Sequence, residues 1–247
     1  MLNASNCRLY IYLISIAALS FSGCNKSGSN KTARENITIG EDTYKVEWLH
    51  KESFDSAWTM RWIVEGDAVV HAENGALYQR KASLDQKNKS TVWFRSEMPQ
   101  NLALRARVKC DEPSENNAGN INLFLHAREA DGSQLEFGRD GTYNTYHNIP
   151  NYIITLTGGS MGDEQGHNRL RRNPGFNLLV DNPEVRSHSG ETYHLMVTIV
   201  EGRIRYYING EKKIDYIDED PLPAGRLGLR TWNSNVVWDK LEIGRVE

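Results

Sequence analysis

The chain has 247 residues, of which 39% are hydrophobic and 25% charged, and its formal net charge at pH 7 is -3. The length allows a domain with a sizeable core. The slightly acidic balance provides no broad basic face, so a nucleic-acid partner is not expected.

The N-terminal segment predicts export. Arg8 precedes an apolar stretch, Leu9 to Phe21, that is too short to span a membrane and is typical of a signal sequence. The stretch ends in Phe21-Ser22-Gly23-Cys24, which resembles a bacterial lipobox with Phe in place of the usual Leu. The resemblance implies a signal peptide over residues 1–23 and acylation of Cys24, for example with palmitate. The lipoprotein would then be anchored in the bacterial cell envelope, on the periplasmic side or at the cell surface.

Two alternatives to lipidation remain, namely ordinary signal cleavage near the same point and an uncleaved anchor. Both still place the folded part outside the cytoplasm. The following stretch, Asn25 to Glu35, is polar and has no hydrophobic period, so it buries too little surface to offset the cost of ordering. We therefore expect a flexible tether over residues 24–36 and one folded domain over residues 37–247. Cys110 would be the only free cysteine left in the domain, and we interpret it as a buried strand residue without a disulfide.

Alternating apolar and polar residues predict an all-β domain. Apolar side chains recur at every second position in residues 102–109, 193–199 and 204–208, which is the period of a strand with one buried face. Asn74-Gly75 and Asn209-Gly210 each separate two such segments and supply the pair of positive-φ residues that a tight hairpin needs. No window shows the sustained spacing of an amphipathic helix.

The end of the chain refines this fold class. Residues 225–232 and 236–243 look like the last two strands of many concanavalin-A-like domains that act on sugars. The expected fold is therefore a concanavalin-A-like jelly-roll β-sandwich of two antiparallel sheets.

One predicted strand carries polar groups opposite its apolar face. Ile121, Leu123, Leu125 and Ala127 point one way. The opposite face carries Asn120, Asn122, Phe124, His126 and Arg128. Amides both donate and accept hydrogen bonds and aromatic faces pack against sugar C–H groups, so this face suits sugar binding. The alternative is an outer strand with ordinary solvated side chains.

Two later segments are dense in functional groups. Residues 137–152 are rich in Tyr, Asn and His, and a Gly-rich loop over 157–168 leads into the arginine-rich run 169–176. Guanidinium groups bind carboxylates at two points, so the arginines favour an anion site, although strand alternation lets at most two of the three share a groove. The alternatives are that the arginines form a solvated charge run, that the histidines are structural, and that the tyrosines lie in the core or at a rim. The expected substrate-binding residues are Asn120, Asn122, Phe124, His126, Tyr143, Asn144, Asn173 and Trp232.

Several motifs resemble the YesU-like proteins, a family of concanavalin-A-like domains found with pectin-type polysaccharide utilisation. The match runs from about Trp48 to the end of the chain. Its motifs are Trp58 with Trp62-Ile63-Val64-Glu65-Gly66, then Gly119-Asn120-Ile121-Asn122-Leu123-Phe124-Leu125, Tyr143-Asn144, and the distinctive Arg169-Leu170-Arg171-Arg172-Asn173-Pro174-Gly175-Phe176. The resemblance implies a sugar-active sandwich encoded in a polysaccharide-utilisation locus and allows a lyase.

β-Elimination on a uronate needs a group that neutralises the carboxylate, a base, and an acid for the leaving oxygen. The candidates are Arg169 or Arg171 with Asn122 for the carboxylate, His147 or His167 for the base, and Tyr146 or Tyr152 for the acid. A glycoside hydrolase would need two facing carboxylates, to which Glu136 and Asp140, or Asp163 and Glu164, contribute only singly. A non-catalytic glycan-binding lipoprotein is the other alternative.

No His-x-x-x-His or paired-Cys spacing predicts a transition-metal site, so no cofactor is expected; calcium held by loop oxygens leaves no readable pattern. The expected partners are a polysaccharide or oligosaccharide and, through the anchor, a membrane. A monomer is expected.

Overall fold

Two antiparallel β-sheets account for most of the described chain. The computed structural model describes residues 33–83, 87–111, 119–159 and 166–247. The nine-stranded sheet contains β1 (Ala33–Ile39), β2 (Asp42–Lys51), β4 (Val69–Glu73), β5 (Ala76–Arg80), β7 (Leu102–Cys110), β12 (Thr192–Val200), β13 (Arg203–Ile208), β14 (Glu211–Ile217) and β16 (Val236–Val246). The seven-stranded sheet contains β3 (Trp62–Gly66), β6 (Lys89–Phe94), β8 (Asn120–Ala127), β9 (Asn151–Thr157), β10 (His167–Asn173), β11 (Asn177–Asn182) and β15 (Arg226–Trp232). The described helices are α1 (Trp58–Arg61) and a 3-10 helix, Tyr143–Asn148.

In both sheets, many neighbouring strands are far apart in the sequence. The seven-stranded sheet runs β11-β10-β9-β8-β15-β6-β3, and the main path of the other sheet runs β1-β2-β16-β7-β12-β13-β14. The β4–β5 hairpin joins that second sheet through β16. The predicted fold class, two antiparallel sheets in a β-sandwich, is confirmed.

One hydrophobic core joins the two sheets. It includes Trp62 and Leu123 from the seven-stranded sheet and Leu104, Val197 and Trp238 from the nine-stranded sheet, all nearly inaccessible to solvent. Burying a large apolar side chain of this kind contributes about 1.5–3 kcal/mol. Cys110 is a strand residue buried in the same core, as predicted.

Both predicted Asn-Gly hairpins are confirmed. Asn74 and Gly75 have φ values of 50° and 77° between β4 and β5, and Asn209 and Gly210 have values of 52° and 84° between β13 and β14. Positive φ at both central residues matches the right-handed twist of the flanking strands.

The sandwich begins earlier than the sequence predicts. The expected tether included residues up to 36, but β1 starts at Ala33 and pairs residue by residue with β2. Glu35 accepts a hydrogen bond of 2.7 Å from Trp48 Nε1, which gives this stretch a tertiary contact that hydrophobic periodicity does not reveal. The signal peptide, Cys24 and the first part of the tether lie outside the described residues. Among the described residues, no helix is both long enough and apolar enough to cross a membrane.

A second apolar cluster covers part of the outer face of the seven-stranded sheet. Strand residues Trp93, Phe124 and Ile153 pack there against Leu135 and Tyr146. We call residues 135–149 the covering segment, because they lie on this outer face. The part of the face that they leave open forms the candidate site.

Candidate functional site

Polar side chains form two cross-strand rows on the outer face of the seven-stranded sheet. The first row crosses five strands, from β15 to β11, and each member lies directly opposite the next. In order, its members are Arg230, Asn122, Thr155, Arg169 and Asp181. Directly opposed residues share a face, so these side chains are neighbours. The second row contains Asn120, Thr157 and His167.

These rows form the floor of a pocket of about 480 Å³. The covering segment adds Tyr143 and Asn144, and the turn after β10 adds Phe176. The described lining residues are Asn120, Asn122, Tyr143, Asn144, Thr155, Thr157, His167, Arg169, Arg171, Phe176, Arg230 and Trp232. No Asp or Glu is among them.

A buried carboxylate attaches the covering segment to the sheet. Glu65 of β3 accepts hydrogen bonds from the backbone N–H groups of Gly138 and Arg139 at 2.8 and 3.0 Å, and from the Tyr146 hydroxyl at 2.7 Å. It also accepts one from Trp93 Nε1 at 2.8 Å. Glu65 thereby fixes the segment that carries Tyr143 over the pocket.

Tyr143 lies beside a hydrogen-bonded chain along the pocket floor. In this chain Thr155 donates to Asn122 Oδ1 at 2.7 Å. Asn122 in turn donates to Asn120. Burial raises the pKa of Tyr143, an effect that Arg230 and Arg171 partly oppose, so the phenol is protonated at neutral pH.

The three pocket arginines differ in how their charge is balanced. Arg169 donates from Nε and Nη2 to Asp181 at 2.9 and 3.3 Å. Arg171 donates from Nη1 to the Phe176 carbonyl and lies 3.9 Å above the Phe176 ring. Arg230, only 1% exposed, donates from Nη1 to Thr91 and to a backbone carbonyl and lies 4.8 Å from the Tyr143 ring centroid. Within the described part of the chain, neither Arg171 nor Arg230 pairs with a carboxylate.

The two candidate histidines occupy different positions. His167 lines the pocket, with Nε2 3.3 Å from Arg169 Nη1. His147 instead packs beside the pocket, stacked on Phe176 with 3.9 Å between ring centroids. Burial lowers the pKa of His147, and the charges of Arg171 and Arg230 lower it further, so this imidazole is neutral at pH 7.

The structure brings most of the predicted site residues together. Asn120, Asn122, Tyr143, Asn144, His167, Arg169, Arg171 and Trp232 all line the pocket. Alternation correctly limited the arginines to two, because Arg172 points away and pairs with Asp218 and Asp220. Residues 160–165 of the predicted Gly-rich loop lie outside the described residues.

Both predicted acids lie away from the pocket. The Tyr146 hydroxyl is bound to Glu65, and the Tyr152 hydroxyl donates to Asp218 at 2.6 Å between the sheets. Burial raises the pKa of each phenol above its ordinary value, and each carboxylate raises it further. These tyrosines are structural, and Tyr143 is the phenol that faces the pocket.

Three predicted binding residues are also structural. Phe124 is fully buried between Trp93 and Tyr143. His126 has φ 54° at a register shift between β8 and β15, so the alternation breaks and its ring lies near Pro99 and Tyr152. Asn173 is buried, where it bonds to Asn151 and accepts from the Phe176 N–H.

Sequence reasoning missed Thr155, Thr157, Phe176 and Arg230. Arg230 lies two residues before Trp232, so the period of two places both on one strand face. That alternation was the available signal for Arg230. Thr155 and Thr157 become site residues only through pairing with β8 and β10, which the sequence does not reveal.

The described residues offer no cluster of three His, Cys, Asp or Glu side chains that could hold a metal ion. Two of the four carboxylates considered for a hydrolase are described, and neither lines the pocket. Glu136 is exposed, and Asp140 is bound to Thr142 and Lys89. Asp163 and Glu164 lie outside the described residues.

Comparison with solved structures shows the concanavalin-A-like fold. A Bacillus subtilis protein of unknown function with a galectin-like fold aligns with a TM-score of 0.66 and 16% identity, over 87% of this chain and 99% of its own. The endo-β-1,3-glucanase of Pyrococcus furiosus gives 0.57 and 11% identity, over 86% and 98%. The carbohydrate-binding module CBM66 of Bacillus subtilis gives 0.50 and 11%, over 73% and 92%.

Sequence comparison identifies a family without a known function. No curated protein matches the chain significantly. Residues 84–241, more than half of the chain, match the family described as Domain of unknown function (DUF6250). The chain belongs to the DUF6250 family.

Proposed function

We propose that the pocket binds an acidic, uronate-containing glycan and cleaves it by β-elimination. The single observation that carries this proposal is the pocket's charge. Arg171 and Arg230 have no carboxylate partner among the described residues, and no described Asp or Glu lines the pocket. Burying an unpaired charge is costly, so an anionic ligand is the natural partner for these guanidinium groups.

The other lining groups support a sugar as the carrier of that charge. Asn120, Asn122, Thr155 and Thr157 offer donors and acceptors at the spacing of neighbouring strands, and Trp232 offers an aromatic face. Proteins of similar fold include a carbohydrate-binding module and a glucanase, which is consistent with this choice. Their low identity makes the pocket, not the fold, the basis of the proposal.

The elimination would use the pocket groups as follows. Arg171 or Arg230 binds the uronate carboxylate and stabilises the charge that develops on it. His167 removes the proton from the carbon that carries the carboxyl group, and its Nε2 exchanges the hydrogen bond that it accepts from Arg169 Nη1 for this proton. The electron pair forms a carbon–carbon double bond, and the bond to the glycosidic oxygen breaks. That oxygen receives its proton from Tyr143, whose raised pKa keeps it protonated for this role.

The pocket favours elimination over glycoside hydrolysis. Hydrolysis by the common mechanisms needs two carboxyl groups about 5–9.5 Å apart across the scissile bond. The described lining supplies none.

The test incubates the purified protein with a panel of uronate-containing polysaccharides and follows the ultraviolet absorbance of the unsaturated product. We expect His167→Ala and Tyr143→Phe to abolish turnover while calorimetric binding of the same polymer persists. His188→Ala is the matched control, because His188 lies outside the pocket lining. If the parent protein binds a polymer but forms no product, its function is glycan binding without cleavage. The absence of both binding and product across the panel would overturn the proposal.

We also propose that this activity operates at the cell envelope through acylated Cys24. Mass spectrometry of the mature protein, compared with Cys24→Ser, tests this point. A mature N-terminus that carries no lipid would contradict it.

A further inference from the structure

The charges around the pocket do not cancel. Arg169, Arg171 and Arg230 contribute three positive charges, and only Arg169 has a carboxylate partner, Asp181. Glu65, on β3 two strands from Arg230, directs its carboxylate to Trp93, Tyr146 and two backbone N–H groups, not to Arg230. Asp140 and Asp181 act on Arg230 and Arg171 only at a distance, so no described carboxylate forms a direct ion pair with either guanidinium group.

Each of these guanidinium groups retains donors for a ligand. Arg171 uses Nη1 for the Phe176 carbonyl, and Arg230 uses Nη1 for Thr91 and the Gly141 carbonyl. Nε and Nη2 of both arginines form no hydrogen bond with any described residue. This pair of parallel N–H groups is the edge that binds a carboxylate at two points.

The two guanidinium groups occupy separate positions. Arg230 lies against the Tyr143 ring and Arg171 against the Phe176 ring, and these two rings meet edge to face with 5.5 Å between centroids. The two arginines also come from different strands, since β8 and β9 lie between β15, which carries Arg230, and β10, which carries Arg171. One carboxylate would bind one of them and leave the other without a counter-charge.

We infer that the ligand carries two carboxylates on neighbouring sugars, one for Arg171 and one for Arg230. The substrate class is thus a glycan with contiguous uronates rather than a neutral chain with isolated acidic residues. This inference rests on the proposed function, because it assumes that the pocket binds an acidic glycan. It adds that both acidic groups must be present together.

The test compares three disaccharide probes by isothermal titration calorimetry: a diuronate and its two forms in which one carboxyl is methyl-esterified. Galacturonate and glucuronate versions test both configurations at C4. We expect each mono-ester to bind about 10- to 100-fold more weakly than the diuronate, the range that the loss of one charge-assisted contact gives. These probes act on the unmodified protein, so the result does not depend on whether a variant of the buried Arg230 folds.

A variant identifies which arginine binds which carboxylate. In Arg171→Gln we expect one mono-ester to bind as well as the diuronate, because its missing carboxylate has already lost its partner. Arg107→Gln, on the opposite sheet, should keep the full preference. Equal affinity of the diuronate and both mono-esters for the parent protein would overturn the inference and leave acidic-glycan binding intact. No binding of any acidic probe or polymer would overturn the proposed function as well.

Discussion

The arginines on the outer faces of the two sheets have different kinds of partner. On the nine-stranded sheet Arg105 pairs with Glu242, and Arg107 pairs with Asp239 on the neighbouring strand. Arg203 likewise pairs with Asp215 at 2.7 Å. On the seven-stranded sheet the pocket arginines Arg171 and Arg230 contact aromatic rings and carbonyl groups instead of carboxylates.

This contrast distinguishes an arginine that serves the fold from one that is available to a ligand. Cross-strand ion pairs neutralise the first face internally, so an external anion gains little there. Arg171 and Arg230 are instead desolvated without being neutralised, as the lowered pKa of Arg230 from burial reflects.

The largest effect is expected from Arg230→Gln. Removing one partner of a desolvated charge pair costs about 2–5 kcal/mol, so the affinity for an acidic glycan should fall about 100-fold. Titration calorimetry with the polymer that binds the parent protein measures this, and circular dichroism verifies the fold. Arg107→Gln removes an arginine from the opposite face and should leave the affinity unchanged. Equal losses in both variants would mean that binding depends on overall charge rather than on the pocket.

The next effect concerns stability rather than binding. Glu65→Gln retains the size of the side chain but removes the charge that four donors share, so we expect a loss of about 2–3 kcal/mol in the free energy of unfolding. Glu242→Gln on the other face should cost about 1 kcal/mol or less, because its partners lie at the surface. Urea denaturation at pH 7 measures both. Similar costs would indicate that Glu65 is not the main attachment of the covering segment.

Much of the fold could be predicted from the sequence, because the period of two in a strand involves only residues that are close along the chain. Alternation located strands such as β7 and β12, and the Asn-Gly pairs located two hairpins. The same alternation placed Asn120 and Asn122 on the pocket side of β8. The resemblance to the YesU-like proteins stays a prediction, since the family that the chain matches is DUF6250.

The predictions that failed concern residues whose positions depend on partners distant in the sequence or on an irregular backbone. Nothing near Tyr146 or Tyr152 in sequence indicates that Glu65 and Asp218, far away along the chain, bind their hydroxyls. His126 was misplaced because a bulge interrupts the period of two on which the interpretation relied. The density of functional groups in a segment therefore predicted where the site lies, but not which side chains face it.

We also expect the loss of stability at low pH to originate in the seven-stranded sheet. Burial lowers the pKa of His126 to about 4 from its ordinary value of 6.5, so the unfolded state takes up this proton first as the pH falls. The corresponding stability is present above pH 6.5 and is lost progressively as the pH falls towards 4, by about 2 kcal/mol at pH 5. Denaturation at pH 7 and pH 5 should therefore show a smaller pH effect in His126→Asn than in the parent. Asn tolerates the positive φ at this position, and an unchanged pH effect would assign the acid sensitivity to other groups.

The smallest effect is expected when a carboxylate is altered instead of an arginine. Asp181 neutralises Arg169 at the edge of the pocket, so Asp181→Asn leaves a third guanidinium charge available to the ligand. The pair is partly exposed and screened by solvent, so the gain in affinity for an acidic glycan should be a few-fold, less than about 1 kcal/mol. Asp239→Asn frees Arg107 on the opposite face in the same way, and there the affinity should not change. A gain from Asp239→Asn as large as that from Asp181→Asn would show that the ligand responds to the net charge of the protein. A gain confined to Asp181→Asn, and reduced by added salt, would show that it responds to the pocket.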